Sequence, residues 1–109
     1  MTLNRILAYP CLAIPCLAVA PAQAIADTMS QNFAVCTQSK GSKQQIVAAC
    51  TWLIDNAKKE NELVGLFYGV RASTSDNKAS NCRDARKVLV LVKDPKMTDA
   101  ANKLVKLNC

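Results

Sequence analysis

Between Gly41 and Ser73 the apolar residues recur at helical spacing, and the pattern predicts two helices joined by a short charged turn. In the first helix Ile46, Cys50, Leu53 and Ala57 fall at steps of four, three and four, with Val47 and Ile54 widening the stripe. Asp55, Lys58 and Lys59 fall on or near the other side. Gly41 interrupts the preceding chain, Ser42 is placed to cap the first turn, and Gln45 completes a capping box. Asn61 is the expected cap of the second helix, with Glu62 favourable at its positive N-terminus. There Val64, Phe67, Tyr68 and Arg71 mark one side, and Gly65, Gly69 and Ala72 another. A glycine inside a helix costs about 1 kcal/mol relative to alanine. Two on one face therefore predict that another helix comes close. The GxxxG spacing marks membrane dimers only inside a long apolar segment, and here Asn61, Glu62 and Arg71 flank it.

After a polar connection at Thr74 to Lys78, a third helix is expected over Ala79 to Lys93, with Cys82, Ala85, Leu89 and Val92 inward. Val88 to Val92 holds three β-branched residues in five and is compatible with a buried strand. Continuous register from Cys82 to Lys87, and the lack of a partner strand, favour helix. Asp94 and Pro95 then fit the cap and first position of a last helix, about Pro95 to Leu107. It turns Met97, Ala101 and Leu104 inward, with Ala100 and Leu107 beside them. Upstream, Asn32 to Cys36 suits a short helix with Phe33 and Cys36 facing in. The expected fold is all-α: four to five short helices in antiparallel hairpins.

Residues 1–24 read as a signal peptide. Arg5 is a positive n-region, Ile6 to Ala20 is apolar but broken by Pro10 and Pro15, and Ala22-Gln23-Ala24 is an A-x-A cleavage site. A membrane span needs about 20 apolar residues, so no stable insertion is expected after cleavage. Residues 25–109 remain as a single small domain, periplasmic or secreted. Cys11 and Cys16 leave with the leader, and Cys36, Cys50, Cys82 and Cys109 stay. An even count in an exported chain implies disulfides. Of the three possible pairings, Cys36–Cys50 and Cys82–Cys109 each join neighbouring elements and are favoured. Closing a loop of about 15 residues is worth about 3 kcal/mol, comparable to the core of so small a domain. A zinc site is not expected: the chain has no histidine and no C-x-x-C.

Charge sharpens the picture. Without Arg5 the chain keeps thirteen of its 14 basic residues against 8 acidic ones. Residues 25–77 are neutral, whereas residues 78–109 hold Lys78, Arg83, Arg86, Lys87, Lys93, Lys96, Lys103 and Lys106 against Asp84, Asp94 and Asp99. Such asymmetry favours association with an acidic partner or an anionic surface, and the same charges also suit a solvated face that keeps the protein soluble. Arg83, Arg86 and Lys87, spaced to share a helix face, are the candidate binding residues. Nucleic acid is not expected as a partner, since the basic segment has no aromatic residue for stacking and export removes the usual targets. With no histidine there is no Ser-His or Cys-His pair, and Gly41, Gly65 and Gly69 are too scattered for a phosphate loop. No catalytic residue, cofactor site or metal site is expected, and the chain reads as a non-enzyme. Trp52, the sole tryptophan, sits beside the main stripe as a core or helix-interface residue.

The segments Ala48 to Ile54 and Leu66 to Ala72 resemble tetratricopeptide-repeat proteins of exported bacterial type. Tyr68 and Ala72 match the aromatic and small positions of a first repeat helix, Ala85 and Leu89 the alanine and the large apolar residue four later that mark the second, and Pro95 the closing proline. Arg71 and Ser75 depart from the pattern. The resemblance implies helical hairpins and a protein-interaction module that uses a helical groove or its basic C-terminal helices. The order of Cys36, Cys50, Cys82 and Cys109 also looks similar to small periplasmic immunity proteins of the Rap1a/Tai type. That likeness implies an alternative: an exported inhibitor blocking a secreted enzyme.

Overall fold

The computed structural model describes residue 24 and residues 26–109. The leader expected at 1–24 falls, Ala24 apart, outside the described residues. The chain divides into two units, Met1–Ser30 and Gln31–Cys109. In the first, residues 26–30 are helical, and Thr28 Oγ1 donates to the carbonyl of Ala24 at 2.7 Å.

The second unit is all helix among its regular elements: α1 (31–37), α2 (Lys43–Asp55), α3 (Glu62–Thr74), α4 (Lys78–Leu91) and α5 (Pro95–Asn108). The starts of α2 to α5 are fixed locally. Ser42 and Gln45 form the expected capping box on α2. Asn61, Asn77 and Asp94 each accept from a backbone N–H three residues on, and Pro95 occupies the first turn of α5. Such caps satisfy amide donors that a helix N-terminus otherwise leaves orphaned. Short connections then fold each helix back on the one before it. α3 packs on both α2 and α4, α4 on α5, while α3 and α5 touch only lightly.

α3 is therefore shared by two cores. Phe67 joins Cys36, Ile46, Ala49, Cys50 and Leu53 in the first, and Phe33 meets the Phe67 ring edge to face at 6.0 Å. On the other flank Tyr68 packs against Val88, Val92 and Ala101. The Cys36–Cys50 bridge is buried in the first core, and Cys82–Cys109 ties the start of α4 to the end of α5. Both favoured pairings are the observed ones. Trp52 is half-buried against the first core. No helix among the described residues is long and apolar enough to cross a membrane.

Two inner faces differ from the sequence reading. α4 ends at Leu91, with Val92 extended, and its buried residues are Asn81, Asp84, Ala85 and Val88. Leu89 is 36% exposed and Val90 75%. The face is turned by up to one residue's worth of rotation, about 100°, while keeping Ala85. Asn81 and Asp84 occupy it, Asp84 bonded through both carboxylate oxygens and Asn81 through Nδ2 alone, its Oδ1 buried without a partner among the described residues. Asn81 Nδ2 donates to the Ser75 carbonyl at 2.6 Å. On α5 only Ala101 is fully buried; Met97 and Leu104 are half-buried, and Ala100 and Leu107 are exposed.

The close approach predicted at two glycines occurs at one. A Cβ on Gly65 would collide with Val92 Cγ2 and stand 3.1 Å from Leu91 Cβ. At Gly69 the nearest atom, Val88 Cγ2, would lie at an ordinary 3.5 Å. Valine is stiff about χ1 and yields little. Gly65→Ala is thus expected to cost about 1–3 kcal/mol through overpacking, whereas Gly69→Ala gains about 0.4–1 kcal/mol by restricting the unfolded chain. Urea melts of the two variants check the opposite signs.

Candidate binding surface

The first cluster of functional side chains lies inside the fold. Arg71 of α3 donates to both carboxylate oxygens of Asp84 on α4, Nε to Oδ2 at 2.7 Å and Nη2 to Oδ1 at 2.9 Å. Its Nη1 donates to Thr51 Oγ1 on α2 at 3.1 Å. The guanidinium carbon also stands 5.5 Å from the centroid of the Tyr68 ring, within cation–π range. The side chains of Arg71 and Asp84 are only 18% and 5% exposed. The hydrogen bond to Asp84, opposed by burial, raises the Arg71 pKa above its ordinary value. A permanently charged fork gripping one carboxylate has no proton to exchange near neutral pH. Its effect is mechanical: one bracket holds α2, α3 and α4 together. Sequence reasoning placed Arg71 on a marked side of its helix without finding its partner.

The second cluster is the basic surface. α4 places Arg83, Arg86 and Lys87 on one face, as their spacing predicts. Arg83 and Arg86 are exposed. Lys87 is engaged: its Nζ lies 2.7 Å from Glu60 Oε2 in the α2–α3 connection, and that hydrogen bond raises its pKa. The acidic residues of this half do little to offset its charge. Asp84 is committed to Arg71, and Asp94 caps α5. Asp99 meets Lys103 only at 3.9 Å, with both side chains about three-quarters exposed (76% and 74%). Among the described residues Lys78, Arg83, Arg86, Lys93, Lys96 and Lys106 make no ion pair. No group of three or more metal-ligating side chains comes together among the described residues.

The third feature is an apolar cleft of about 180 Å³ between α3 and α5, with α4 beneath. Sequence reasoning missed it. The available signal was the small residue Gly69 on α3 facing Ala100 and Ala101 on α5, which the spacing alone assigned to close packing. α3 and α5 both lean on α4 without meeting along their length, and small side chains there leave a gap. Val88 forms its floor. Arg86 and Val88 lie about 200° apart around α4, so Arg83 and Arg86 face away from the cleft.

Compared with known proteins, the chain matches no family model, no curated sequence and no solved structure.

Proposed function

We propose that this protein is an exported helical interaction module, periplasmic or secreted after loss of its leader, whose basic C-terminal half contacts an acidic protein. The observation that carries the reading is the uncompensated charge on α4 and α5. Eight basic residues, one of them (Lys87) paired with Glu60, stand against three acidic ones, and two of those three are engaged by a buried arginine and a helix cap. A field of one sign raises the encounter rate with an oppositely charged surface. The two disulfides support an oxidising compartment. Cys82–Cys109 also ties the start of α4 to the end of α5, which limits the ordering entropy lost on binding. The tetratricopeptide-like spacing from Tyr68 to Pro95 supports the module reading. The same stapled rigidity suits an inhibitor whose acidic partner is a secreted enzyme.

Arg83→Glu with Arg86→Glu tests this, with Lys58→Glu plus Lys59→Glu as the control in the neutral half. Lys87 is left unchanged because reversing it would set two carboxylates side by side at Glu60. In capture from a periplasmic extract, the first pair is expected to lose an acidic partner that the control pair retains. Equal recovery by both baits contradicts the reading.

A further inference from the structure

The cleft has dimensions and an edge that specify an occupant. Leu66 and Gly69 of α3, Val88 of α4, and Met97, Ala100 and Leu104 of α5 line it. Its volume of about 180 Å³ compares with roughly 150 Å³ for an apolar cavity that takes up one benzene. One large aliphatic or aromatic side chain fits. Apolar surface continues beyond the cleft along both walls. Leu63, one turn before Leu66, is 48% exposed, and Leu107, one turn after Leu104, is 70% exposed.

The edge is cationic. Lys96, Ala100 and Lys103 follow one another at steps of four and three along α5, so two lysines flank the exposed Ala100. Lys96 makes no ion pair among the described residues. The loose contact of Lys103 with Asp99, both side chains mostly exposed, is weak competition for a partner's carboxylate. No acidic residue lines the cleft. A second copy of this chain docked by two-fold symmetry would bring the same lysines to the same edge and be repelled.

We infer that the cleft takes the apolar anchor of an amphipathic helix from an acidic partner, with Lys96 and Lys103 facing that helix's carboxylates. The inference rests on the acidic-partner reading and adds a second contact: Arg83 and Arg86 face away from the cleft and meet another part of the partner's acidic surface, while its helix anchor enters here. A central anchor in a small pocket with a charged rim is the usual anatomy of helix-in-groove recognition.

The test is selection from a displayed library of short, helix-biased random segments against the full chain with both disulfides formed. Enriched segments are expected to be acidic, with a Leu, Phe or Met at mid-length. They should bind about tenfold or more weakly to Ala100→Glu, which sets a carboxylate on the exposed edge. Gly69→Leu, which fills the cleft from the α3 wall, should have the same effect. Enrichment without an anchor residue, or binding indifferent to both variants, overturns the inference. Acidic segments lost only on Arg83→Glu with Arg86→Glu leave the basic-surface reading standing and sink the cleft. No acidic enrichment at all sinks both.

Discussion

Replacing Asp84 with alanine is expected to cost about 3–5 kcal/mol, the range for breaking a buried ion pair by removing one partner. The loss comes from what is left behind. Arg71, 18% exposed, keeps its charge, loses both carboxylate acceptors, and retains only Thr51 Oγ1 and the Tyr68 ring. Small domains have a total stability of about 5–15 kcal/mol, so the variant sits near the folding threshold. The companion variant distinguishes a stranded charge from a lost attraction. Arg71→Met with Asp84→Leu removes both charges and fills the same space, and it is expected to recover most of the loss. Urea denaturation of the single and double variants measures this. A double variant as unstable as the single would mean that the pair's attraction, not the stranded guanidinium, carries the effect.

The second large effect is loss of the Cys82–Cys109 bridge. Its sequence separation of 27 corresponds to about 3.5 kcal/mol of chain entropy, against about 3 kcal/mol for the separation of 14 closed by Cys36–Cys50. The two bridges are expected to fail differently. Cys36 and Cys50 are fully buried in the first core, so Cys36→Ala with Cys50→Ala lowers global stability. α5 buries only Ala101 completely, and Cys109 pins its last turn to α4. Cys82→Ser with Cys109→Ser should therefore release α5 before the rest unfolds. Amide hydrogen exchange should quicken across Pro95–Asn108 while α2 and α3 stay protected. Uniform loss of protection would show that α5 is not a weakly held element.

What was legible in the sequence was whatever physics made local. Ser42 with Gln45, Asn61, and Asp94 with Pro95 state their helix starts within three or four residues, and the structure has each of them. The stripe Ile46, Cys50 and Leu53 needed only the helical period. The pairing of neighbouring cysteines followed from element order. What was illegible depended on distant partners. Asp84 is assigned outward by any hydropathy pattern, and only its bond to Arg71, 13 positions away on another helix, makes its burial tolerable. That one assignment shifted the inner face of α4 and placed Leu89 inside when it is partly exposed, while Ala85 and Val92 are buried as their spacing predicts. Gly65 and Gly69 are likewise indistinguishable in sequence. Val92 crowds the first, and the second opens on the cleft, because α4 turns extended beside one and α5 stands off from the other. Lys87 looked as free as Arg86 until the turn brought Glu60 to it. The candidate surface was thus legible as charge and illegible as shape.

The central claim, recognition of an acidic partner by the basic half, is tested most directly by association rate as a function of salt. Electrostatic steering acts on encounter and is screened over about 10 Å at 0.1 M salt. For the captured partner, the unmodified protein should associate fast at low salt and much more slowly at high salt. Arg83→Glu with Arg86→Glu should associate slowly at low salt and show a flattened dependence, while Lys58→Glu with Lys59→Glu stays close to the unmodified protein. An association rate indifferent to salt, or reduced equally by both pairs of substitutions, would contradict the claim and leave the basic half a solvated surface.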